Sequence, residues 1–146
     1  MIGPTQWNSA KALNQLTLPN DPELIVTVHN YEPFQFTHQG AEWDSHAAAW
    51  LGTTCCSPAQ QEQMRAPLDI AAQWSRQHRY PVYLGEFGAY GKAPMASRQE
   101  FTRIMRDEAE RRGMTWGYWE FGAGFGVYDP GRKAWRAPIR EALLGQ

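Results

Sequence analysis

The sequence predicts an α/β fold in which four βα units build a parallel sheet, half of a closed eightfold barrel. Three observations carry this. Strand-like and helix-like segments alternate four times along the 146 residues, and such alternation gives parallel neighbours joined by right-handed crossovers. Leu24-Ile25-Val26-Thr27-Val28-His29 is a β-branched run with little polar alternation, as expected of a strand buried on both faces of a parallel sheet. Pro81-Val82-Tyr83-Leu84-Gly85-Glu86-Phe87-Gly88 places a carboxylate where an apolar strand gives way to glycine. At the carboxyl ends of parallel strands side chains converge on the ligand mouth, so Glu86 is expected to point into a site.

Each element has its own signal. Ile2-Gly3-Pro4 reads as the tail of a strand, followed by a short amphipathic stretch from Ser9 to Leu16 with Ser9 as its cap. Pro19, Asn20, Asp21 and Pro22 punctuate a turn, and the next strand, Leu24 to His29, delivers His29 and Tyr31 at its end. Residues Asn30 to Ser57 are polar, aromatic and irregular, a loop of a length that compact domains keep for function. Pro58 to His78 reads as a helix capped by Ser57, with Met64, Leu68, Ala71, Ala72 and Trp74 on its apolar face and Pro67 as an internal cost. Val82 to Glu86 is a strand, and Ser97 with Glu100 forms a capping-box pattern for a helix running to Arg112, closed by Gly113. Thr115 to Phe121 is the last strand, followed by the glycine-rich loop Gly122 to Gly126 and a terminal helix from Pro138 to Leu144.

Composition bounds the function. One domain spanning residues 1–146 is expected, and with a formal net charge of -1 and no basic cluster longer than Arg111-Arg112 there is no footprint for nucleic acid or a membrane surface. A neutral ligand fits better. Aromatics make up 13% of the chain, and their flat apolar rings are surfaces on which sugar faces stack as well as core fillers. Cys55 and Cys56 are adjacent, which strains any bridge between them, and imply no disulfide framework. The start of the sequence lacks the basic-then-apolar pattern of a signal peptide, and no transmembrane segment follows. The compartment stays open. The absence of a glycine-rich phosphate loop after a strand argues against a flavodoxin-like binding module.

Four segments in order, Ile25-Val26-Thr27-Val28-His29-Asn30-Tyr31-Glu32-Pro33-Phe34, Phe36-Thr37-His38-Gln39-Gly40-Ala41-Glu42-Trp43, Leu84-Gly85-Glu86-Phe87-Gly88 and Trp116-Gly117-Tyr118-Trp119-Glu120-Phe121, carry a resemblance. Together they resemble glycoside hydrolase family five, the cellulase family of retaining endoglucanases, and within it the carboxyl-terminal half of the barrel. The resemblance implies that Glu86 is the nucleophile, that His29 and Tyr31 are the His-x-Tyr pair after the sixth strand, and that Trp119 floors the sugar subsite beside the cleaved bond. It implies a β-glucan or cello-oligosaccharide as substrate, and neither cofactor nor metal. His38, Gln39, Trp43 and Trp50 fall in the long loop where such an enzyme builds part of its cleft wall, with His38 and Trp43 as substrate contacts and Trp50 as loop packing. The spacing of His38, Glu42 and His46 matches no standard metal site. Members of the family are commonly secreted.

The sequence also departs from the family. Retaining hydrolysis uses two carboxyl groups about 5–5.5 Å apart, yet the family's Asn-Glu-Pro acid/base motif occurs nowhere in these 146 residues. The four barrel strands that include it are expected upstream of Met1. A half-barrel is expected to expose two strand edges and an inner face of Val, Leu, Ile and aromatic side chains. Pairing with a second copy, or with a complementary half, would restore eight strands. In a twofold dimer the last strand of one copy would take the place of the missing fourth strand, which makes Glu120 a candidate acid/base in trans. The alternative is a catalytically silent half-barrel or a carbohydrate-binding remnant.

Overall fold

A computed structural model describes residues 1–145. Three parallel strands form its main sheet in chain order: β1 (Val26–His29), β2 (Val82–Glu86) and β3 (Thr115–Trp116). Ile2 adds a fourth parallel segment, its N–H donating to the Ile25 carbonyl at 3.0 Å and its carbonyl accepting from Thr27 at 2.9 Å. The long helices are α1 (Pro58–His78), α2 (Met95–Arg111) and α3 (Ala137–Leu144), with 3₁₀ segments at Ala10–Gln15 and Ala47–Trp50 and a single helical turn at Phe34–Thr37.

α1 begins where its sequence directs. Gln60 N–H bonds to the Ser57 hydroxyl while the Gln60 side chain accepts from Ser57 N–H at 2.8 Å, so the reciprocal cap satisfies two donors at once. The helix runs through Pro67 and ends at Arg79 in the left-handed region (φ 61°). Its stripe of Met64, Leu68, Ala71, Ala72 and Trp74 joins Phe101 and Met105 of α2 and Val26, Val28, Val82 and Leu84 of the sheet in one core. Arg65 of α1 and Glu108 of α2 add a 2.9 Å ion pair along the seam.

Several expectations are corrected. β1 alternates buried and half-buried residues, with no burial on both faces, because the helices cover only the side carrying Val26 and Val28. The opposite face presents Thr27, Tyr83 and Gly85, joined by exposed Ile25, so the expected apolar inner face is largely polar or glycine. Ser97 does not cap α2. The helix starts at Met95 after Pro94, and the buried Ser97 hydroxyl instead accepts from Cys55 N–H at 3.1 Å. Nor does Ser9 cap with its side chain: its N–H reaches back to the Thr5 and Gln6 carbonyls, and a 3₁₀ turn follows. Cys55 and Cys56 are bonded to each other, a ring between neighbours that cross-links no distant elements.

The last strand is shorter than Thr115–Phe121. Only Thr115 and Trp116 pair regularly, although Gly117 and Trp119 still donate to the Leu84 and Phe87 carbonyls at 2.8 and 2.9 Å. A hairpin absent from the sequence-based expectation, β4 (Tyr128–Asp129) against β5 (Ala134–Trp135), precedes α3. Among the described residues no helix is long and apolar enough to cross a membrane.

Candidate active site

A one-residue irregularity at the end of β1 builds the site. Val28 pairs with Leu84, but His29 pairs with Glu86, so Gly85 is skipped and the imidazole and carboxylate arrive side by side. Gly85 makes room for this: a Cβ there would lie 2.3 Å from Thr27 Oγ1 and 3.3 Å from His29 Nε2. His29 Nδ1 stands 3.3 Å from Glu86 Oε2. Tyr31 donates its hydroxyl to the same oxygen at 2.8 Å.

The chain between these groups is pinned. Asn30, almost fully buried, donates its amide to the Met64 carbonyl at 2.8 Å, and its backbone N–H bonds to the Glu86 carbonyl at 3.0 Å. The Thr37 hydroxyl donates to the Tyr31 carbonyl at 2.6 Å. Sequence reasoning passed over Asn30, though a polar residue between His29 and Tyr31 at the end of an apolar strand is itself a signal of a buried amide needing partners.

Burial, and then the bond to Glu86, pushes the Tyr31 phenol far above its ordinary value, so it remains a donor. Burial lowers His29, against an opposing pull from Glu86. The ring is therefore neutral at pH 7. Burial also brings His38 down to about 4; its ring stacks on Phe34 with centroids 4.0 Å apart and meets Tyr31 edge-on at 5.0 Å.

These side chains line one cleft of about 810 Å³. The structure brings His29, Tyr31, His38, Trp43, Glu86 and Trp119 to its walls. Trp43 is 63% exposed and Trp119 44%, so both offer ring surface to a ligand. Trp43 rests edge-on against Tyr90, whose hydroxyl bonds to Glu42, and Lys92 pairs with Glu42 at 2.7 Å. Lys92, then Tyr90, holds the Glu42 carboxyl down to about 2. Gln39 is not on the wall: fully buried, it bonds to the Phe36 and Thr53 carbonyls and to Gly52 N–H, tying the loop together. Trp50 packs edge-on against Phe34. Glu120 lies off the cleft wall, its carboxylate accepting from Phe125 N–H at 3.4 Å.

One wall was not anticipated. Gln6, Trp7 and Asn8 line the cleft from a turn in which all three residues have positive φ, 57°, 53° and 59°. Gln6 and Trp7 each cost roughly 1–2 kcal/mol there, while Asn8 is of a type that tolerates the left-handed region. Among the described residues no cluster of three or more metal-binding side chains forms; Glu42 is engaged by Lys92 and Tyr90, and His46 pairs with Asp44 at 3.3 Å.

The sequence and fold that carry this site have close counterparts among known proteins. The family model for cellulase, glycosyl hydrolase family 5, matches residues 1–124. The chain belongs to that family. It is 33% identical over 129 residues to Endoglucanase H of Acetivibrio thermocellus, covering 88% of this chain and 13% of that protein. Endoglucanase C of the same organism is 26% identical over 173 residues, covering 98% and 48%. Among solved structures, Thermotoga maritima Cel5A in complex with cellobiose superposes with a TM-score of 0.92 at 43% identity, covering 97% of this chain and 47% of its own. The same Cel5A in complex with mannotriose matches equally well. The chain thus spans about half the length of the Cel5A chains it matches.

Proposed function

We propose that residues 1–146 are one half-barrel domain, the nucleophile-bearing half of a retaining β-1,4-glucan endohydrolase. The observation that carries this reading is the pair of contacts at Glu86: Tyr31 Oη at 2.8 Å and His29 Nδ1 at 3.3 Å, both on Oε2. With Oε2 so occupied, Oε1 is free to attack an anomeric carbon. The C–O bond to the leaving sugar breaks as the ester to Glu86 forms, and the departing oxygen takes the electron pair and needs a proton. Trp119, Trp43 and His38 offer the surfaces on which the sugar rings rest. The mannotriose complex of Thermotoga maritima Cel5A makes a mannan the second substrate to assay.

The test bypasses the missing acid. From an activated aryl 2-deoxy-2-fluoro-cellobioside the aryl oxide leaves with the C–O electron pair without needing a proton, and the fluoroglycosyl group stays on the carboxylate as a slow-turning ester. Mass spectrometry is expected to find one glycosyl adduct on the peptide carrying Glu86, and none in Glu86→Gln. An adduct elsewhere, or none, overturns the reading.

We further infer that a second half, a second copy or a complementary segment, completes the sheet, because β3 and the Ile2 segment each have one paired neighbour. Glu120 of a second copy is the acid/base that this chain itself offers. General acids contribute typically 10²- to 10⁴-fold, so Glu120→Gln should depress cello-oligosaccharide hydrolysis far more than cleavage of an activated aryl cellobioside. Equal losses on both substrates remove that role. Sedimentation should show a dimer, and a compact monomer that still forms the Glu86 adduct would discard self-completion. One observation favours a silent, carbohydrate-binding half-barrel instead: the Glu120 carboxylate is turned into the Phe125 loop. Cello-oligosaccharide binding without adduct formation would establish that alternative.

A further inference from the structure

The left-handed turn at Gln6–Asn8 is an unusual place to hold three side chains, and Asn8 has a specific contact there. Its Nδ2 lies 3.2 Å from His29 Nε2, on the far side of the ring from Glu86. Gly3 makes the approach feasible: a Cβ at that position would fall 2.0 Å from Asn8 Oδ1 and 2.8 Å from its Cγ. A parallel bridge between Ser9 and His29 fixes the turn to the end of β1. We propose that Asn8 is a positioning residue that favours the Nδ1–H tautomer of His29, so that an N–H and not a lone pair stands 3.3 Å from Glu86 Oε2 and Oε1 is left as the attacking oxygen.

A neutral imidazole has one N–H and one lone pair. Glu86 Oε2 is an acceptor, so the nitrogen facing it must carry the hydrogen. Nε2 is then the acceptor, and of the two ends of the Asn8 amide only the NH₂ can serve it. Among the described residues Asn8 is the hydrogen-bond partner of Nε2, and its donor adds to the preference that Glu86 sets from the other side of the ring. With the hydrogen moved to Nε2, two lone pairs would face each other 3.3 Å apart.

This inference rests on the Glu86 reading above for its consequence, but its first part is measurable without catalysis. Long-range ¹H–¹⁵N correlation on histidine-labelled protein, with His29→Gln to assign the ring, should show His29 protonated at Nδ1. Asn8→Asp keeps a residue that tolerates positive φ and replaces the donor by an acceptor, so the proton should move to Nε2 or both nitrogens should become protonated. Gly3→Ala should displace Asn8 and give a mixture of tautomers. Both variants are expected to slow formation of the Glu86 adduct about 10- to 100-fold, on the order of the loss when the outer partner of a metal-bound imidazole is removed. An Nε2–H tautomer in the unaltered protein, or a tautomer indifferent to Asn8→Asp, overturns the proposal. So does a switched tautomer with an unchanged adduct rate. Absence of any adduct in the unaltered protein counts instead against the nucleophile, and the NMR result then decides the tautomer alone.

Discussion

On the helix side of the sheet Val26, Val28, Val82 and Leu84 are at most 6% exposed, whereas on the opposite side Thr27, Tyr83 and Gly85 are half-buried. The helix side is a dense apolar layer against α1 and α2. The other side carries small or polar groups that lead up to His29 and Glu86 at the strand ends. The difference teaches that folding and chemistry draw on alternate residues of the same strands: period-2 alternation lets one face fix the backbone while the other is left to shape a site. It also changes what can drive assembly. A face of Thr, Tyr and Gly buries little apolar surface, so the sheet completion proposed above would depend more on strand-edge hydrogen bonds than on hydrophobic gain.

The sharpest way to break this comparison is a pair of truncations on neighbouring strands. Leu84→Ala empties a site with no exposure and should cost about 2–5 kcal/mol in urea unfolding. Thr27→Ala on the open face should cost less than about 1 kcal/mol. Comparable losses would mean that the open face is covered in solution by something as well packed as the helices.

A smaller effect separates chemistry from stability. Tyr31→Phe removes a hydrogen bond to a carboxylate, worth about 1.5–3 kcal/mol, and should slow Glu86 adduct formation about 10- to 100-fold while lowering stability by no more than that amount. The ring remains packed against His38 and Phe125. A large fall in melting temperature with an unchanged adduct rate would make Tyr31 a structural residue.

The strands, the three helices and the strand-end position of Glu86 were legible because each is set by local pattern: a β-branched run, a Ser-Pro start, an apolar stripe. What escaped was set by contacts distant in sequence. Ser97 looks like a cap until Cys55 N–H, 42 residues away, claims its hydroxyl. The alternation of β1 was hidden because Ile25 and Leu24 read as buried, although Ile25 is 41% exposed. The Gln6–Asn8 turn had no signal at all, since none of its three residues is glycine and positive φ at such residues is not written in composition. The approach of His29 to Glu86 depends on a register shift that only the paired strands reveal.

The least effect, and the one that reaches both regions at once, is the pH dependence of stability. His38 stands in the cleft, where burial lowers it from 6.5 to about 4. Between those values the unfolded chain binds a proton that the folded chain refuses, so stability rises with pH across this window. The contribution is complete above about pH 6.5 and is lost as pH falls toward 4, with His29 acting in the same direction. Glu108, in the seam between α1 and α2, behaves oppositely in origin: burial pushes it up, but the bonds from Arg112, Arg111 and Arg65 overcome this and hold it at about 2 against 4.5. Its stabilisation is present above about pH 4.5 and is lost as pH falls toward 2. The cleft and the seam therefore fail in successive windows. His38→Phe keeps a ring on Phe34 and removes the titration, so urea midpoints measured at pH 7, 5.5 and 4 should decline less steeply than in the unaltered protein. Below pH 4 the two should run parallel, because the seam is untouched. An unchanged slope between pH 6.5 and 4 would show that His38 titrates as a solvated ring and that the cleft is wetter than its packing against Phe34 and Tyr31 indicates.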